Sequence, residues 1–152
     1  CSKIGLNSNN EKSRESLKNL LALMKSSEAD YTLAFRYLGD YLNNENEPSF
    51  KELFTNKDEI EHWLLDWLEL INTEGNSKKS IIESMQTINP IYIPRNHLVE
   101  RAIKAGVNDG DYSVMLNLSL VLETPYKLQE VDQDYMNPPQ PSERVLQTFC
   151  GT

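Results

Sequence analysis

At 152 residues, with 25% charged and 39% hydrophobic side chains and a mean hydropathy of -0.55, the chain suits one globular domain with a sizeable core and needs no disulfide framework. Its formal charge of -8, from 23 Asp and Glu against 15 Lys and Arg, repels a phosphate backbone or an anionic lipid surface, so neither nucleic acid nor membrane is expected as a partner. The most apolar stretch, Ser113 to Leu122, is about half the roughly 20 residues that span a bilayer.

The chain opens at Cys1 and runs through polar residues to Asn10, with neither the basic start nor the apolar centre of a signal peptide; it is expected to begin at a cut. Two cysteines at opposite ends, Cys1 and Cys150, fit an intracellular protein better than a disulfide-rich secreted one. Leu17, Leu20, Leu21 and Met24 recur at helical spacing and predict a helix near 11–26. Ser27 followed by Asp30 resembles a weakened capping box, opening a helix with Tyr31, Ala34, Phe35, Leu38 and Leu42 inward.

Ser49 and Glu52 form a stronger capping box, with Phe50, Leu53 and Phe54 behind it. From about Asp58 the stripe Ile60, Trp63, Leu64, Trp67, Leu68, Ile71 follows i, i+3, i+4, i+7 and marks the centre of the core, closed by Gly75 in a left-handed conformation. Ser77 caps a further helix through Ile81, Ile82, Met85 and Ile88, which Asn89-Pro90 stops because proline disfavours helical geometry in the residue before it. Ile91 to Pro94 reads as a rigid connector. Asn96 is then expected to cap a helix with Leu98, Val99, Ala102 and Ile103 inward, ending at Gly106.

Asp109 or Asp111 starts the last helix, through Val114, Met115, Leu118 and Leu122, with Thr124-Pro125 as its end. From Lys127 the prolines and acidic residues predict an extended arm with at most one helical turn around Ser142 to Leu146. The expected architecture is therefore all-α: an irregular bundle of about six or seven helices over 1–126, with an extended, proline-containing C-terminal arm over 127–152. No pattern recurs at a fixed period, which argues against a helical solenoid.

The run Asn89-Pro90-Ile91-Tyr92-Ile93-Pro94-Arg95-Asn96-His97-Leu98 resembles the N-P-x-Y-x-x-R-N-x-L signature near the C-terminus of selenoprotein O family proteins. The order of features around it is also similar: Trp63 and Trp67 before it, Ala102 and Ala105 after it, then Gly110-Asp111, Pro125-Tyr126 and a cysteine third from the end, a likeness running from about Ile60 to Thr152. Members of that family resemble protein kinases and are described as transferring AMP from ATP to protein Ser, Thr or Tyr hydroxyls with a divalent metal. The resemblance implies that the kinase-like catalytic part lies upstream, that ATP and magnesium belong to the parent protein, and that the partners are that catalytic region and protein substrates. The compartment implied is the cytoplasm in bacteria and the mitochondrion in eukaryotes.

Phosphoryl and nucleotidyl transfer require groups that cradle phosphates and hold metal. No Gly-rich loop, strand-borne lysine, H-R-D or D-F-G analogue occurs here, and the six glycines are scattered singly, so no catalytic, cofactor-binding or metal residue is assigned to this chain. The motif residues Asn89, Pro90, Tyr92, Arg95 and Asn96 are read as structural, with Arg95-Asn96 locking the connector to neighbouring helices, and an interface or nucleotide-side role as the alternative. Cys150 falls where animal family members carry selenocysteine; the resemblance makes it a redox candidate whose partner cysteine lies in the kinase-like part.

Glu59-x-x-His62 has the spacing of a carboxylate-bridged metal site but occurs once, and is read as an exposed pair. His97, just inside a helix start, is expected to be hydrogen-bonded or partly exposed; Trp63, Trp67 and Tyr92 are expected to pack in the core rather than to stack a ligand. Two functions stand: a helical accessory region of a kinase-like AMP transferase, or a free-standing helical interaction module without activity of its own.

Overall fold

The structure is a computed structural model and describes residues 1–44, 48–131 and 133–144. Among these residues the chain forms seven α-helices with short 3₁₀ turns and no strand. It divides into two compact units, Cys1–Pro90 and Ile91–Thr152. The division falls at Pro90, ahead of the composition change at Lys127, because the arm packs back onto the second unit.

The first unit opens with a surprise for its polar composition. Ser2–Ile4 form a 3₁₀ turn, and Ile4 and Leu6 are buried in the core. Gly5 turns the chain there at φ 70°, with Ile81 so close that a Cβ would come within 2.5 Å of its Cγ2. Only glycine fits both the conformation and the space.

Helix α1 spans Glu11–Ser26, with the Asn10 side chain accepting from the Lys12 N–H. It ends in a Schellman motif: the Ala29 N–H donates to the Met24 carbonyl at 2.9 Å and the Glu28 N–H to Lys25 at 3.3 Å. Glu28 supplies the left-handed residue at φ 49°. Ser27 is thereby held in the exit of α1, where its hydroxyl accepts from the Thr55 N–H. The cap of α2 (Tyr31–Asn43) is accordingly Asp30, whose carboxylate accepts from the Leu33 N–H at 2.8 Å, and the expected Ser27 capping box does not form.

Helix α3 is a single turn, Ser49–Glu52, with Pro48 in the capping position and no side-chain cap. Starting one residue early places Ser49 inside the helix rather than in the capping position expected of it; Phe50 and Phe54 are buried as expected. Helix α4 (Lys57–Thr73) starts from Asn56 and carries Asp58 and Glu59 in its first turn, where they complement the positive end of the helix dipole. Ile60, Trp63, Leu64, Trp67 and Ile71 are its buried stripe. Gly75 is left-handed at φ 73°, and Ser77 caps α5 (Lys78–Ile88), which buries Ile81 and Met85. One continuous apolar cluster joins all five helices and the initial turn.

In the second unit α6 spans Asn96–Lys104. It does not stop at Gly106 but runs on through a π-helical stretch, Ala105–Asp109, to a left-handed Gly110. Gly106 is where the ring of Tyr112 lies close, so its small size serves packing rather than termination. Helix α7 covers Ser113–Leu122, and the Asp111 carboxylate accepts from the Ser113 N–H at 2.9 Å. Ile91 and Tyr92 both donate their backbone N–H to the Pro125 carbonyl, closing the unit behind α7. The described part of the arm contains two 3₁₀ turns, Gln133–Tyr135 and Pro141–Glu143. Val131, Tyr135 and Met136 pack on a small core of Ile91, Tyr92 and Val121. No helix among the described residues is long and apolar enough to cross a membrane.

Candidate functional site

The motif Asn89 to Leu98 crosses the division of the chain, and its residues serve the two units separately. Asn89 is buried at the end of α5, its amide donating to the Lys3 carbonyl at 2.8 Å and its carbonyl oxygen accepting from the Lys3 ammonium at 3.3 Å. It pins the initial turn of the first unit. Pro90 prevents the helix from continuing. Tyr92 is buried in the second unit, and its hydroxyl accepts from the Gln129 N–H at 3.1 Å and donates to the Gln129 carbonyl at 3.4 Å. The Gln129 side chain in turn donates to the Val121 carbonyl at 2.8 Å. Tyr92 thus ties the arm to the end of α7.

Arg95, rather than Asn96, holds the capping position of α6, its carbonyl accepting from the Leu98 and Val99 N–H groups. Asn96 is exposed in the first turn and makes no cap bond. A shallow crevice of about 550 Å³ lies over this start, with Arg95, His97, Pro139 and Arg144 among its walls. His97 is buried, with 7% of its surface accessible, and its Nδ1 has no hydrogen-bond partner among the described residues. Burial pulls its pKa below the ordinary 6.5; Glu143 opposes the fall, while Arg101 and Arg95 add to it.

Beside it, the Arg101 guanidinium from α6 bonds two carboxylates of the arm, Asp134 at 3.1 Å and Glu143 at 2.9 Å. The bond to Asp134 leads in raising the Arg101 pKa. Glu143 is held below the usual carboxylate range by the Gln140 N–H first and by Arg101 second. These carboxylates stand 33 and 42 residues from Arg101, so no local pattern in the sequence announces the clamp.

The remaining candidates take bland positions. His62 is exposed, with its Nδ1 2.8 Å from the Asp58 carbonyl oxygen. Trp63 and Trp67 stack at 5.7 Å in the core and donate to the carbonyls of Ser16 and Ile4. A crevice of about 730 Å³ is an open trough of mixed polar and apolar lining between α1 and α4. Among the described residues no three His, Cys, Asp or Glu side chains converge as metal ligands. Cys150 lies outside the described residues.

Residues 1–123 match the family Protein adenylyltransferase SelO. The chain belongs to this family. It is similar to the Protein nucleotidyltransferase YdiU of Maridesulfovibrio salexigens, 43% identical over 152 residues, which are all of this chain and 30% of that protein. The proteins of the same name from Rhizobium etli and Bacillus mycoides are each 42% identical over 99% of the chain and 30% of their own length. The chain therefore spans about three-tenths of these relatives. The SelO match takes in the helices before Ile60, where the sequence offers no named signature.

Proposed function

We propose that this chain is the helical C-terminal accessory region of a SelO-type protein adenylyltransferase. The parent protein moves AMP from ATP, with magnesium, to Ser, Thr or Tyr hydroxyls of other proteins, and its kinase-like catalytic part lies outside these residues. The observation that carries this reading is one of coverage: the relatives match the whole chain yet are covered over only 30% of their own length. The use of the motif side chains agrees with it. Asn89 and Tyr92 spend their hydrogen bonds on Lys3 and Gln129, each within its own unit, and Arg101 spends its charge on the arm. Such residues hold a scaffold; they do not wait for a phosphate.

In this reading the chain supports the catalytic region of the same polypeptide, and Cys150 offers that region a redox-sensitive thiol. Calorimetry is the test. MgATP titrated into the purified chain gives no saturable heat, whereas the longer polypeptide binds it and labels protein with AMP. Saturable uptake of MgATP by the chain alone would refute the assignment.

A further inference from the structure

Helix α7 is built unlike the other helices of the chain. From Tyr112 to Leu122 it carries no charged residue, and the apolar ones go all the way round it. A helix apolar on every side belongs inside a larger protein, because a solvated one keeps a charged or polar face. Yet α7 buries only Leu118 and Val121. Tyr112, Leu116 and Leu120, at i, i+4 and i+8, form an outward ridge, each about three-fifths exposed, with Met115 half-exposed alongside. Tyr112 lies against Gly106, which carries the apolar surface on to Val107, 78% exposed. Isolated exposed leucines need no explanation, but a continuous apolar ridge does.

We infer that this ridge is where the second unit docks on the rest of the longer polypeptide, against an apolar, uncharged groove. The inference rests on the accessory-region reading and names the surface which that reading needs. Length supplies the occupant: the relatives that match the whole chain carry most of their residues outside it. A second copy is the poorer partner, since each carries a net charge of -8 and the ridge has no cation to offset the repulsion. Leu65 of α4 gives the contrast. It is as exposed as Leu116 but stands between Glu61 and Glu69 at i-4 and i+4, an ordinary solvated face.

The test measures hydrogen exchange and thermal unfolding for the 152-residue chain and for the longer polypeptide. Each is prepared as wild type, as Leu116→Gln/Leu120→Gln and as Leu65→Gln. The α7 amides are expected to exchange at least about tenfold more slowly in the longer polypeptide. The double variant lowers the melting temperature of the longer polypeptide and leaves that of the chain unchanged; Leu65→Gln changes neither. If the double variant of the longer polypeptide does not fold, wild-type exchange decides. Equal α7 exchange in both contexts, with protection gained elsewhere in the chain, overturns the docking face while leaving the accessory reading intact. No gain of protection anywhere overturns both. A chain that elutes as a dimer, and as a monomer once Leu116 and Leu120 are replaced, assigns the ridge to a second copy and overturns the inference.

Discussion

Glu28 sits at φ 49° between α1 and α2, a conformation that costs an ordinary L-residue about 1 kcal/mol or more and glycine almost nothing. Its side chain is exposed, so nothing is lost with it. Glu28→Gly is therefore expected to stabilise the first unit by about 0.5–1 kcal/mol after the extra freedom of the unfolded glycine is subtracted, read as a higher midpoint in urea. Gly5 is the opposite case. At Gly5 an alanine meets both a left-handed backbone and the Ile81 side chain at 2.5 Å, so Gly5→Ala lowers the same midpoint.

His97 makes acid sensitivity a property of the second unit. The unfolded chain takes up a proton near pH 6.5, while the folded imidazole, depressed chiefly by burial, takes it up only at lower pH. The stability due to neutral His97 is thus fully present above 6.5 and is lost as pH falls through the folded value. Glu143 acts in a lower window, since its folded pKa lies below the ordinary 4.5 and its contribution is present above 4.5 and lost beneath it. His97→Leu is expected to flatten the upper part of a stability-against-pH curve. Glu143→Gln flattens the lower part and slightly enlarges the upper, because Glu143 opposes the fall at His97. Urea unfolding monitored by circular dichroism between pH 8 and 3 separates the two; an unaltered upper slope in His97→Leu would show that burial is not what holds the imidazole neutral.

Among the elements, α4 is legible from the sequence because a long apolar stripe needs no knowledge of its neighbours, whereas α1 buries Ser13 and Ser16 beside Leu20 and Met24 and leaves Leu21 exposed. The starts of α2, α3 and α6 are misread by one to three residues for a shared reason: a cap depends on where the previous element releases the chain. The Schellman exit at Glu28 hands the start of α2 to Asp30, and Pro48 and Arg95 take capping positions that suit Ser49 and Asn96 by residue type. Asp30→Ala is accordingly expected to cost about 1 kcal/mol, within the 0.5–2 kcal/mol of lost helix caps, measured by chemical denaturation. The polar start hides Ile4 and Leu6, since two apolar residues among hydrophilic ones have no period to betray them. The Arg101 clamp is hidden by distance: its carboxylates reach it through the path of the arm, not through a spacing.

At the scale of the molecule, apolar burial is divided unequally. The first unit has a core reaching every one of its helices, with Trp67 fully buried, stacked on Trp63 and hydrogen-bonded to the Ile4 carbonyl at 2.8 Å. The core gathered around Ile91, Tyr92 and Val121 in the second unit is far smaller. Opening should therefore cost less in α7 than in α4, and native-state exchange of the chain is expected to release α7 amides before those of α4. Trp67→Ala removes the largest buried side chain, leaves a cavity and orphans a buried carbonyl, so it is expected to cost roughly 3–5 kcal/mol. Against the roughly 5–15 kcal/mol that holds a domain folded, that loss is a large fraction of the first unit's stability. Trp63 remains as the fluorescent reporter in the variant. An unchanged urea midpoint for Trp63 emission would mean that the indole of Trp67 is not the keystone of this core, and that the helices are held by the remaining contacts of the cluster alone.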